Sequence, residues 1–152
     1  MMARGIEKLF PTLEELDIGF VAYSPLANGL LSGAYEKATN NQFEAVVDYR
    51  SRMPQFTPEA LKHNMPLPNL IRAWAARKNC SMSQFTLAWL LAQAPWIAPI
   101  PGTTNPTHLD DFLGATSVSL SPAELREFES AYSKIKLMGH RADPFTESQI
   151  DK

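Results

Sequence analysis

The chain has 152 residues, 45% apolar and 20% charged, the composition of one ordinary globular domain that buries roughly 70% of the surface exposed on unfolding. Fourteen basic residues face sixteen acidic ones for a net charge of −2, which leaves no excess of positive charge for holding nucleic acid through its phosphates. No apolar run approaches the ~20 residues of a bilayer span, the stretch Met1 to Lys8 lacks an apolar signal core, and Cys80 is the sole cysteine. An internal disulfide is therefore excluded, Cys80 is expected to pack as a small hydrophobe, and a cytoplasmic protein is the expectation.

Pro11 to Leu16 predicts one or two helical turns, with proline in the first turn and Leu13 and Leu16 three apart. Gly19 to Ser24 carries aromatic and β-branched residues without polar alternation, the look of a strand buried on both faces as in a parallel sheet. From Ala27 to Gln55 the chain reads as irregular, with a long loop over 34–56; such loops are usually functional or disordered. Leu67 to Lys78 predicts an amphipathic helix with Leu67, Leu70, Ile71 and Trp74 on one side. Ser81 or Ser83 can cap a further helix through Ala94, apolar nearly all round and so expected to be deeply buried.

Trp96 to Pro101 is a second short apolar run of strand type. It leads into Gly102-Thr103-Thr104-Asn105-Pro106, where Asn105 suits an N-cap and Pro106 the first helical position, predicting a helix over 107–115. Ser121-Pro122-Ala123-Glu124 combines a capping serine, a proline and a glutamate three after the cap, which starts a last helix running to about Lys136. Beyond it, 138–152 is expected to be a loose tail. Two parallel strands joined by helical crossovers are the unit of α/β proteins, yet two strands do not make a stable free-standing sheet. Strands are missing, or more are hidden.

Two turns carry the chemistry. Gly102 allows a ligand close to the backbone, the following helix aims its N–H groups and positive dipole end at the turn, and Thr103 and Thr104 add hydroxyls, which together suit a phosphate. A buried structural turn is the competing reading. The other turn, Tyr23-Ser24-Pro25-Leu26-Ala27-Asn28-Gly29, sets an aromatic face beside polar backbone at the end of a strand; a packed tyrosine and a glycine loop is its bland counterpart.

In order and spacing, these segments resemble the last two strand–loop units of the aldo-keto reductases. The likeness takes in Thr12 to Leu16, Asp48-Tyr49-Arg50 to Phe56, Gln84 to Leu91 and Pro99 to Thr104. It implies an α/β fold: part of a (β/α)₈ TIM barrel comprising its last two strand–helix units and the C-terminal helix, with residues 1–152 as that C-terminal segment. In such barrels the loops after strands seven and eight commonly form the phosphate site. The resemblance implies an oxidoreductase that uses NADP or NAD as a hydride donor to an aldehyde or ketone. Tyr23 would stack on the nicotinamide, and Ser24, Pro25, Leu26 and Asn28 would hold the pyrophosphate. Arg50 or Arg52 would close over the cofactor. Gly102, Thr103 and Thr104 would hold the adenosine-side phosphate, with His108 and Asp111 near the adenosine.

The same resemblance defines what is not found. The family's catalytic Asp, Tyr, Lys and His belong to earlier strands; Tyr35, Tyr49, Tyr132, His63, His108 and His140 match none of them, so no catalytic residue is assigned. His63 and His140 read as solvent-facing. Many relatives have basic residues where this chain has Ala34, Asn105 and His108, and Asn where Phe112 stands, so weak dinucleotide binding is expected and the choice between NADPH and NADH stays open. No metal-ligand spacing appears. The expectation is a fragment inactive by itself, alone or completed by a chain that supplies the missing strands or by self-association. A non-catalytic interaction module and a gene remnant are the alternatives.

Overall fold

Proline sets the start of most helices in this chain. In the computed structural model, which describes residues 2, 4–35, 48–140, 145, 148 and 149, a proline occupies the first turn of α1 (Phe10–Glu15), α2 (Pro58–Asn64), α3 (Pro66–Arg77), α5 (Pro106–Leu113) and α6 (Pro122–Tyr132). That position has no intrahelical donor to lose, and the fixed φ of proline favours the helix. The exception is α4 (Met82–Leu91), begun instead by a capping box in which Ser81 accepts from the Gln84 N–H and Gln84 accepts from the Ser81 N–H. Ser81, and not Ser83, is the cap. The short helix α2 has no counterpart among the sequence expectations; Thr57 caps it by accepting from the Ala60 N–H.

The two expected strands form, as β1 (Phe20–Tyr23) and β2 (Ile97–Ile100). They pair in parallel, with Phe20 opposite Ile97 and Tyr23 opposite Ile100, and the Phe20 N–H donates to the Trp96 carbonyl at 2.9 Å. Pro99 lies inside β2, opposite Ala22. Burial on both faces is not what the strands show. Alternate side chains point to opposite faces of a strand. Phe20, Ala22, Ile97 and Pro99 are buried or half-buried, whereas Val21, Tyr23 and Ile100 on the other face are 58%, 62% and 53% exposed. The helices following β1 cover one side only.

The main core lies where α3, α4 and α6 meet. Phe128 sits at its centre, 1% exposed, with ring centroids 5.2 Å from Phe85, 5.8 Å from Trp74, 6.0 Å from Tyr132 and 6.4 Å from Trp89. As its apolar sequence suggests, α4 buries Phe85, Thr86, Leu87, Ala88 and Trp89. The Thr86 hydroxyl donates to the Leu31 carbonyl at 3.2 Å, tying this helix to the turns after β1. Cys80 is partly buried against the same core, and burial pushes its thiol pKa up.

Two details anchor the C-terminal side. The Ser121 capping box of α6 is present, and Glu124 also pairs with Lys78 of the segment after α3 at 2.9 Å. The Ser121 N–H, then Lys78 and the Ser121 hydroxyl, pull the Glu124 pKa from 4.5 to about 2. A carboxylate with a depressed folded-state pKa contributes stability above its unfolded value, lost as the pH falls through the folded one. In urea denaturation, Glu124→Gln is therefore expected to be less stable than the parent at pH 6, with the difference shrinking as the pH falls and closing only below pH 2.

Past α6 the chain runs back along α2. Fully buried Asn64 donates to the Met138 carbonyl at 2.9 Å and accepts from the Met138 N–H at 2.8 Å. His63, exposed as expected, lies 3.0 Å from the Lys136 carbonyl through Nε2. Gly139 has φ +88°, and a Cβ there would lie 2.7 Å from the backbone of Pro54 and Gln55. The expected loose stretch 138–152 thus begins at a clamped residue; most of it lies outside the described residues. So do positions 36–47 of the expected loop. Its described remainder holds two short 3₁₀ turns, Tyr49–Arg52 and Pro54–Phe56.

Candidate functional site

Because Tyr23 and Ile100 are parallel partners, the turns that follow them emerge side by side from the same end of the sheet. Between them opens a cleft of about 910 Å³. Its walls include Tyr23, Ser24, Pro25, Leu26 and Asn28 from the first turn, Arg50 from the loop, and Gly102, Thr103, His108 and Asp111 from the second. Every residue singled out from the sequence is there except Arg52 and Thr104, both exposed, neither of which lines the cleft. Tyr35, Tyr49, Ser81, Ser83 and Phe112 also line it and were not picked out from sequence as cleft residues.

The turn after β1 is locally strained. Ser24, Ala27 and Asn28 all have positive φ, at 48°, 49° and 55°, a region that side chains bearing a Cβ seldom occupy and that concentrates at functional sites. Asn28 is held there by distant residues. Its Oδ1 accepts from the Tyr49 hydroxyl at 2.7 Å, its carbonyl from the Tyr35 hydroxyl at 3.2 Å, and its Nδ2 donates to Met53 Sδ at 3.4 Å. The loop segment 48–53 is thereby pinned over the turn.

Arg50 stands in the same network. It donates through Nε to both carboxylate oxygens of Asp48, at 2.8 and 3.0 Å, and through its terminal nitrogens to Asp48 and to the Tyr35 hydroxyl. The Arg50 guanidinium holds the Asp48 carboxyl below its usual range, and the carboxylate in turn raises Arg50. Burial raises the Tyr35 phenol. A cation half-buried at the cleft wall, already oriented by an acid, is well placed to meet an anionic ligand.

The second turn corrects one expectation. The N-terminal donors of α5 are not free for a ligand, because Asn105 engages them: its Oδ1 accepts from the Thr107 N–H at 3.0 Å and its carbonyl from the His108 N–H. A good N-cap consumes the donors that an anion would want. What remains for a ligand is the Gly102–Thr104 turn itself, with no atom within 4 Å of where a Gly102 Cβ would stand. The Thr103 hydroxyl is partly occupied as well, accepting from the Asn105 N–H at 3.1 Å with His108 Nδ1 at 3.4 Å. Asp111 is fixed by the Ser81 hydroxyl at 2.9 Å, so one serine both caps α4 and orients a cleft carboxylate.

Among the described residues, no helix is long and apolar enough to cross a membrane, and no cluster of His, Cys, Asp and Glu could hold a metal ion. Ligands of α/β proteins commonly bind at the carboxyl ends of parallel strands, among the loops that follow them, and this cleft has that position.

Comparison with known proteins narrows this class. The model of the Aldo/keto reductase family matches residues 2–133, and the chain belongs to that family. It is 37% identical over 136 residues to the aldo-keto reductase yakc [NADP(+)] of Schizosaccharomyces pombe, an alignment covering 90% of this chain and 39% of that protein. Among solved structures it is similar to the thermostable aldo-keto reductase Tm1743 in complex with the inhibitor epalrestat. That match has a TM-score of 0.56 and 26% identity over 85% of this chain and 36% of the other. The chain thus spans less than two-fifths of the length of either relative.

Proposed function

We propose that this chain is the dinucleotide-holding C-terminal part of an NAD(P)H-dependent carbonyl reductase, contributing the last two strand–helix units and the final helix of a (β/α)₈ barrel. The observation that carries the reading is the parallel pairing of Tyr23 with Ile100, which brings both glycine-containing turns to one cleft. A volume of about 910 Å³ lies within the usual range of small-molecule sites, and the lining combines an exposed aromatic face, a cation and turn backbone. That donor set fits a nicotinamide dinucleotide. Tyr23 would take the nicotinamide ring, the Ser24–Asn28 turn and Arg50 the pyrophosphate, and the Gly102–Thr104 turn, His108 and Asp111 the adenosine end. The cofactor supplies or accepts a hydride when bound; this chain's part is to hold and orient it.

No residue of the chain is assigned to proton transfer to the carbonyl, so the reading includes no turnover by the chain alone. A positioned general acid is worth about 10² to 10⁴ in rate, and strands from another polypeptide segment would have to provide it. The name of the Schizosaccharomyces pombe relative carries NADP(+), which favours the phosphorylated cofactor, while the scarcity of basic residues at the His108 end leaves room for NADH. Titrating the purified chain with NADPH and with NADH, followed by quenching of tryptophan fluorescence, tests the proposal; saturable binding of at least one supports it, and none at millimolar concentration refutes it. Arg50→Ala is expected to weaken that binding about tenfold or more, since a hydrogen bond to a charged group contributes about 1.5–3 kcal/mol.

A second reading, an interaction module, is favoured by the exposed apolar side chains of Val21, Tyr23 and Ile100 and by exposed Leu109 and Leu113 on α5. Unpaired strand edges and apolar faces of this kind invite association. Light scattering separates the two: a monodisperse monomer that binds dinucleotide speaks for the first, and concentration-dependent assembly without dinucleotide binding for the second.

A further inference from the structure

The turn after β1 contains the sequence's single Asn-Gly pair, Asn28-Gly29. An asparagine followed by glycine is prone to deamidation, because no side chain on the following residue hinders the backbone from folding back onto the amide. In that reaction the Gly29 nitrogen attacks Asn28 Cγ. The new N–C bond closes a five-membered imide, the Cγ–Nδ2 bond breaks, and ammonia leaves with the proton from Gly29. Water then opens the imide at either carbonyl, leaving aspartate or isoaspartate at position 28.

The folded chain obstructs each requirement of this sequence. The nucleophile is engaged, since the Gly29 N–H donates to the Leu26 carbonyl at 3.0 Å. The electrophile is tethered at both ends, Oδ1 by the Tyr49 hydroxyl and Nδ2 by Met53 Sδ. Consecutive positive φ values at Ala27, Asn28 and Gly29 fix the backbone between them. Both tethers come from residues 21 and 25 positions away, in the segment 48–53, and not from the turn itself.

We propose that Asn28 is a deamidation site whose protection depends on docking of the segment 48–53, so that undocking exposes it to conversion into a carboxylate. The consequence for the cleft rests on the dinucleotide reading: a carboxylate at 28 repels the pyrophosphate assigned to that turn and gives Met53 no donor. The modification itself does not rest on that reading.

Peptide mapping by mass spectrometry, on chain aged at mildly alkaline pH without any nucleotide, reads it directly. Three samples suffice: the native chain, the chain in urea, and native Tyr49→Phe, which keeps the ring and removes the tether. Tyr49 is half exposed, so this variant is expected to fold, which circular dichroism checks; Met53→Leu, which removes the other tether, gives an independent arm. Loss of one hydrogen bond shifts a local opening equilibrium by roughly two- to tenfold. The expected order of Asn28 deamidation is fastest in urea, intermediate in the tether variants, and slowest in the native chain, which lags the variants by about that factor. Native deamidation as fast as in urea, or neither variant faster than the native chain, overturns the proposal.

Discussion

Phe128→Ala is expected to lower the stability of the chain by about 3–5 kcal/mol, the range for emptying a large aromatic site in a packed core. Its ring is 1% exposed and touches rings from three helices, Trp74 of α3, Phe85 and Trp89 of α4, and Tyr132 of its own helix. None of these neighbours can swing into the void without losing another contact. Trp89 is also held through Nε1 by the Glu129 carboxylate at 2.8 Å, so relaxation around the cavity is limited and the upper half of the range is expected. Domains of this size are stable by about 5–15 kcal/mol in all, so a large share would disappear. A shift of the urea midpoint at unchanged slope is the measurement, and a loss below about 1 kcal/mol would mean that the helices do not pack as described.

Gly139→Ala is expected to cost about 2–5 kcal/mol, from two sources. The left-handed conformation at φ +88° penalises any residue with a Cβ by about 1–2 kcal/mol, and forcing atoms into filled space adds about 1–3 kcal/mol. The atoms in the way are backbone, at Pro54 and Gln55, and cannot rotate aside. The alternative for the chain is to release 138–140, which surrenders the two Asn64 hydrogen bonds to Met138. Amide hydrogen exchange distinguishes the outcomes, since release gives fast exchange at Met138 and Gly139 while the three-helix core stays protected. Displacement of Pro54–Gln55 would also disturb Met53 and Arg50 beside them, so weaker dinucleotide binding is expected to accompany the loss of stability.

Local chemistry made much of this fold legible. Ser121-Pro122-Ala123-Glu124 and Asn105-Pro106 state their caps within four residues, and both caps form. The apolar runs at Phe20 and Ile97 state their strands, and the parallel order of the pair follows from the helices between them. Contacts between distant residues were not legible. Tyr49 lies 21 positions from Asn28, and no periodicity connects them; Asn64 meets Met138 across 74 positions. The helix α2 is not legible because its seven residues carry only Ala60 and Leu61 as apolar side chains, too few to display a helical period. At Asn105 the cap is legible but its consequence for the site is not, because a donor spent on capping is not available to a ligand. The exposed face of β1 is not legible because composition records how apolar a strand is but not what is laid against it.

Pro99 gives the sheet a direction of growth. Since the Trp96 carbonyl faces β1, residues 98 and 100 turn their peptide groups the same way, and those of Ile97 and Pro99 face the outer edge. Proline has no hydrogen to offer there, and the Ile97 N–H is spent on the Ala94 carbonyl at 3.2 Å. That margin can therefore only accept, and a strand joining it must bring every donor, while β1 contains no proline and can trade in both directions. Stray copies meeting edge to edge along β2 would present carbonyl to carbonyl, which disfavours the runaway stacking that bare strands otherwise allow.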